Sequence, residues 1–131
     1  MNSDNYLMLS KFLLEKSSSK ITAKLVDEDN SVIPLSGANS LSGMALTLYS
    51  MSDSPTCTII NSRNSQNVLN INNVSIDSLG NFIWNIQPED TAILDSTLAE
   101  ELHRAIFTWN YGSKTGRYVI DFRVVNLEKI T

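Results

Sequence analysis

From Ala105 to Val124 every second residue is apolar, with one polar interruption. Ala105, Phe107, Trp109 and Tyr111 share one parity, Gly112-Ser113-Lys114-Thr115-Gly116-Arg117 follows, and Tyr118, Ile120, Phe122 and Val124 resume the pattern. Alternation of period two is the mark of a strand with one buried face, because a helix repeats every 3.6 residues. The stretch therefore predicts two long strands joined by a hairpin loop, with Asp121 and Arg123 pointing outward. An isolated hairpin is marginal in water, so its apolar face needs a second layer.

Shorter runs supply that layer. Ile21, Ala23 and Leu25 alternate with Lys20, Thr22 and Lys24, and Asp27-Glu28-Asp29-Asn30 is a turn before a short strand through Val32 and Ile33. Residues 37–43 read as a loop rich in Ser, Asn and Gly. Met44, Leu46 and Leu48 form a face until Asp53-Ser54-Pro55, and Cys57 with Ile59 continues it. Leu69, Ile71, Val74 and Ile76 read as a strand whose parity shifts at Asn72-Asn73, as a bulge would shift it. Phe82, Trp84 and Ile86 make a further strand. Pro88-Glu89-Asp90-Thr91-Ala92 opens a helical turn, with Pro at a first position, and residues 95–101 extend it loosely. Ser, Asn and Thr number 18, 14 and 9, which favours turns and strands over helix. The expected fold is all-β: a single domain over residues 1–131, an immunoglobulin-like antiparallel β-sandwich of about 7–9 strands with one short helical segment near 88–101. Its inward set includes Phe82, Trp84, Phe107, Trp109, Ile120 and Phe122, and Ala92-Ile93-Leu94 plugs one end.

Little chemistry is written in the residue types. Fourteen acidic residues against ten basic ones give a net charge of -4, which disfavours a nucleic-acid surface. No apolar stretch is long enough to span a bilayer. Lone Cys57 forms no internal disulfide and reads as a small core residue. The Asp27–Ser31 run opens like a calcium loop, but Val32 occupies the glycine position and Ala38 the closing glutamate position. His103 is the only histidine, so a His-pair zinc site is absent. Glu100 and Glu101 are adjacent and diverge in any regular structure, so both read as a solvated face. No Gly-x-Ser-x-Gly elbow or phosphate cradle is present. The expectation is a protein that is not an enzyme and holds no metal or cofactor. Trp84 and Trp109 would suit a sugar platform if exposed, yet their apolar neighbours of like parity place them in the core.

The stretch from Phe12 to Leu127 resembles the small immunoglobulin-like modules of tailed-phage virions, in particular the N-terminal domain type of the baseplate upper protein. The resemblance is carried by Leu25-Val26-Asp27-Glu28-Asp29-Asn30, Val32-Ile33-Pro34-Leu35-Ser36-Gly37-Ala38, Met44-Ala45-Leu46-Thr47-Leu48-Tyr49 and the segment from Leu79 to Leu94, with Arg104 to Val125 as closing strands. Asn30 stands where glycine is usual, and residues 95–103 lengthen a connection that is normally short. The resemblance implies a structural component of a tail, baseplate, head-to-tail connector or capsid surface. Its partners would be other virion proteins and itself as a homo-oligomer, without nucleic acid or membrane. A module that binds a host receptor or glycan is the alternative.

The N-terminal segment carries the sharpest expectation. Tyr6, Leu7, Met8, Leu9, Phe12, Leu13 and Leu14 crowd into nine positions, more apolar residues than a half-buried edge strand uses. Asp4 and the Ser10-Lys11 break argue against a secretory signal, so the chain is expected to be made in a host cytoplasm and to reside in the virion. Tyr6, Leu7, Met8, Leu9, Phe12 and Leu13 are the candidate protein-contact residues, as an arm reaching a neighbour. The alternative is a first strand internal to the sandwich.

Overall fold

In the computed structural model, which describes Met1, residues 5–53 and residues 55–129, nine strands and two short 3-10 turns account for the regular structure. They are β1 (Asn5–Met8), β2 (Leu13–Leu14), β3 (Ser19–Lys24), β4 (Leu41–Ser50), β5 (Gln66–Asn67), β6 (Val74–Ile76), β7 (Asn81–Ile86), β8 (Glu100–Tyr111) and β9 (Lys114–Val125). One sheet runs β1-β9-β8-β4-β5 with β2 also on β9; the other runs β3-β7-β6. The second half of the chain builds the spine, since β8 and β9 pair over their whole lengths, from Glu100 opposite Val125 to Tyr111 opposite Lys114. The hairpin loop is only Gly112-Ser113, shorter than the polar run implies, because Gly112 at φ +61° supplies the left-handed position that a two-residue turn needs. Strand order and layering are those of an immunoglobulin-like sandwich.

Alternation fills the space between the sheets as expected. Phe82, Trp84, Phe107, Trp109, Ile120 and Phe122 are all buried. Edge-to-face ring contacts cross the interface: Phe82 to Phe107 at 5.1 Å, Trp84 to Phe107 at 5.3 Å and Trp84 to Phe122 at 6.1 Å between centroids. Such pairs add about 0.5–1.5 kcal/mol each beyond area burial. They hold the two layers without a disulfide, the one cysteine being free.

Several local expectations are corrected. Residues 69–76 do not form one bulged strand: Asn70, Asn72 and Asn73 take positive φ, and the chain leaves β5 in one sheet to enter β6 in the other. The parity shift is a crossover. Cys57 also sits in a turn at φ +52°, half-buried, and contributes a loop position instead of a core strand. The segments at Val32 and Ile59 contribute isolated bridges, to Val26 and Tyr49. The helical segment is a 3-10 turn at Pro88–Thr91 and does not continue through 95–101. There Asp95 accepts hydrogen bonds from the Thr97 N–H and hydroxyl, which competes with a helical backbone. β1 and β2 pair with β9 in parallel, so the sheet is not wholly antiparallel.

Asparagine does much of the turning that glycine does elsewhere. The chain has five glycines, and six of the ten described non-glycine residues at positive φ are Asn. A short amide side chain tolerates the left-handed region that other residues avoid. The Asp27 and Asp77 turns show the device in parallel: each aspartate Oδ1 accepts two backbone N–H groups, with Asn30 or Gly80 at positive φ.

Gly116 lies opposite Trp109, and a Cβ there would stand 2.4 Å from the indole Cε2. Gly116→Ala is expected to destabilise the domain by about 1–3 kcal/mol through overpacking. Urea unfolding followed by tryptophan fluorescence measures this, and a neutral result would contradict the packing described.

Candidate functional site

Two regions of the sandwich hold groups that core packing alone does not use. The first is a polar end between the sheets. Arg63, in the turn between β4 and β5, is buried with every guanidinium N–H direction engaged. Its Nε and Nη2 donate to the two Asp90 carboxylate oxygens at 2.6 and 3.1 Å. Nη1 donates to Gln66 Oε1 and to the Asn72 carbonyl, and Nη2 also donates to Asn73 Oδ1. Asp90, in the 3-10 turn, further accepts from Asn61 Nδ2 at 2.8 Å and from the Gln87 N–H at 2.8 Å. Asp90 thus caps its own turn through the Gln87 N–H, but its main partner is Arg63, in an ion pair that joins the layers.

β8 extends this end. Its inward parity, plain in the sequence from Ala105 to Tyr111, also takes in His103 and Glu101, both buried. The solvated face expected for Glu101 is thus corrected: alternation sends Glu100 outward and Glu101 into the sandwich. His103 Nδ1 lies 3.2 Å from the Asp90 carbonyl and Nε2 lies 3.0 Å from Glu101 Oε1. A carbonyl only accepts, so Nδ1 carries a hydrogen. Glu101 Oε2 accepts the N–H groups of Leu94 and Asp95 at 2.9 and 2.6 Å, fixing the long connection before β8. Burial raises the Glu101 carboxyl pKa, but the bonds from His103 and from the Asp95 and Leu94 backbones outweigh it and leave it below its ordinary value.

A cavity of about 330 Å³ opens beside Glu101, with Ser50, Ser52, Asp53, Thr58, Asp95 and Leu98 among its lining residues. Its carboxylates are engaged by the protein itself: Asp53 by the Thr58 N–H and hydroxyl, Asp95 by Thr97, and Glu101 by His103. Those bonds lower the pKa of Asp53 and Asp95. In the Asp27–Ser31 turn, Glu28 is bonded by Tyr111 and Lys114, and Lys114 above all brings its pKa down to about 2. Among the described residues, no group of three His, Cys, Asp or Glu side chains is placed to hold a metal ion.

The second region is the outer face of the first sheet. The N-terminal segment lies along β9 as a strand, and the candidate contact residues divide by parity. Leu7 and Leu9 pack partly buried against the core and Leu13 is buried within it. Tyr6, Met8, Phe12 and Leu14 face out, 55%, 40%, 46% and 48% exposed. Beside them stand outward residues of β9 and β8, among them Val119, Arg123, Val125, Leu102, Arg104 and Ile106, all half-buried. The centre of this face is an ion pair: Arg104 donates through Nε and Nη2 to both Asp121 oxygens at 2.8 Å, and the Tyr6 hydroxyl donates to Asp121 Oδ2 at 2.7 Å. Asp121 points outward as expected, yet it is buried beneath these partners. The bond to Asp121 raises the Tyr6 hydroxyl pKa. The Arg123 guanidinium sits 4.3 Å from the Phe12 ring centroid, a cation–π contact.

No family model, curated protein or solved structure matches the chain. The sequence signal for the Arg63 clamp is slight but present: Arg63 is the one charged residue between Asp53 and Asp77.

A carboxyl with a lowered folded pKa contributes stability above its unfolded value, here about 4.5, and loses that contribution as the pH falls through the folded value. Stability measured by urea unfolding should therefore fall as the pH drops below that range, and Glu101→Gln should flatten part of the decline. An unchanged slope in the variant would contradict the role given to Glu101.

Proposed function

We propose that this chain is a non-enzymatic structural module that makes protein–protein contacts within an assembly. One observation carries the reading. Tyr6, Met8, Phe12 and Leu14 form an open apolar row along the segment from β1 to β2, whose alternate residues Leu7, Leu9 and Leu13 are already used by its own core. A contiguous apolar patch at a sheet edge, rimmed by polar residues, marks a partner surface more than it marks incomplete folding. The arm and the first strand are thus one segment, with its inner parity in the fold and its outer parity available for contact. Burial of Trp84 and Trp109 leaves neither indole at the surface for a glycan to stack on.

The setting we propose is a phage virion: a tail, baseplate, connector or capsid surface, with other virion proteins and further copies of this chain as partners, assembled after synthesis in the host cytoplasm. The resemblance from Phe12 to Leu127 supports that setting. Gradient-purified particles from the producing host should contain the chain in fixed ratio to the other structural proteins. The double variant Met8→Glu and Phe12→Glu should fold yet enter particles at about tenfold lower yield, since charges at a buried contact are costly. Leu79→Glu, at an exposed turn between β6 and β7, should enter normally. Absence of the wild-type chain from particles, or normal entry of the double variant, would contradict the proposal.

A further inference from the structure

We infer that the outer face of the first sheet is a self-association surface, covered by a second copy of this chain packed face to face about a two-fold axis. The inference rests on the contact-module reading and goes further by giving the face and the symmetry of the contact.

Size is the first argument. The face spans β1, β9, β8 and β4, with outward rows from Glu100 opposite Val125 to Thr108 opposite Arg117. At about 4.8 Å between strands and about 6.8 Å between rows, it offers about 500–600 Å² per copy. Two copies then bury roughly 1,000–1,200 Å², which reaches the range of specific interfaces.

Charge is the second. The Arg104–Asp121 pair neutralises the centre, where Asp121 is already out of solvent. Glu100 lies at one end of the face and Arg117 at the other. A two-fold axis lying across the strands brings the Glu100 end of each copy over the Arg117 end of its mate, so opposite charges meet at both rims. Self-complementarity of this kind is what an isologous interface requires. The whole chain has a net charge of -4, while among the described residues the outward rows of β8 and β9 carry Arg104, Arg117 and Arg123 against Glu100 and Asp121. Two copies therefore meet here with less like-charge repulsion than elsewhere.

Sedimentation equilibrium of the purified full-length chain tests this. The wild type should show a reversible monomer–dimer equilibrium. Ile106→Glu, in mid-face, should weaken association at least about tenfold, and Leu79→Glu should leave it unchanged. Glu100→Arg should weaken it, and adding Arg117→Glu should restore it to within about threefold, a rescue that a merely structural effect would not give. These exchange variants carry the test if Ile106→Glu fails to fold, as near-ultraviolet dichroism of the buried tryptophans would show. A wild-type monomer at every concentration, or a dimer indifferent to both Ile106→Glu and Glu100→Arg, as edge pairing through β1 would give, overturns the inference. If such a chain still enters particles through its Met8 and Phe12 face, the partner is another protein and the contact-module reading survives.

Discussion

Arg63 and Asp90 share a buried ion pair on which the closure of the sandwich depends. Taking two charges out of water costs several kcal/mol per ion, and only a fully hydrogen-bonded arrangement offsets it. Here the arginine donates to Asp90, Gln66, Asn72 and Asn73, and the aspartate also holds Asn61 and the Gln87 N–H. Gln66 lies in β5 of the first sheet, and the other groups lie in the segments that flank β6 and β7 of the second and follow β4 of the first. The Asp90 carbonyl receives His103, and the neighbouring Thr91 binds the Ser17 backbone, which leads from β2 into β3. One 3-10 turn thus fixes both layers and the path of the first strands.

The rest of the interior works by a different force. Away from the polar end, burial of aromatic and aliphatic side chains supplies the non-directional drive, and ring contacts set the spacing. The polar end supplies direction, because an ion pair with its full set of partners tolerates one arrangement of the strands. With the interior settled in these two ways, β1 and β2 need give only Leu7, Leu9 and Leu13 to the core. Their other parity remains outside, and the proposed contact function follows from that surplus.

The parts of the fold legible in the sequence are those governed by local period. Ala105 to Val124 announces its hairpin because every inward residue is apolar. Glu101 and His103 obey the same parity, but their polar chemistry masks their position in the sequence. At Asn72-Asn73 the sequence shows a change of parity, yet a bulge and a crossover look alike when the partner strands are unknown. Arg63 lies in a run of Ser, Asn and Gln that reads as a solvated loop. Its burial depends on Asp90 and Asn73, distant in the chain, and no spacing encodes that meeting. The N-terminal row was legible as surplus apolar residues, but its division into a core parity and an outer parity needed β9 beside it.

A double-mutant cycle at the clamp tests the account most directly. Arg63→Met and Asp90→Leu, singly and together, would be compared by urea unfolding at neutral pH. Each single change strands a buried charge or its hydrogen-bond partners and should cost about 3–5 kcal/mol. The double variant should lose clearly less than the sum, with a coupling of at least about 2 kcal/mol, because the two side chains act as one unit. Additive losses, or single losses under about 1 kcal/mol, would contradict the view that this pair closes the sandwich.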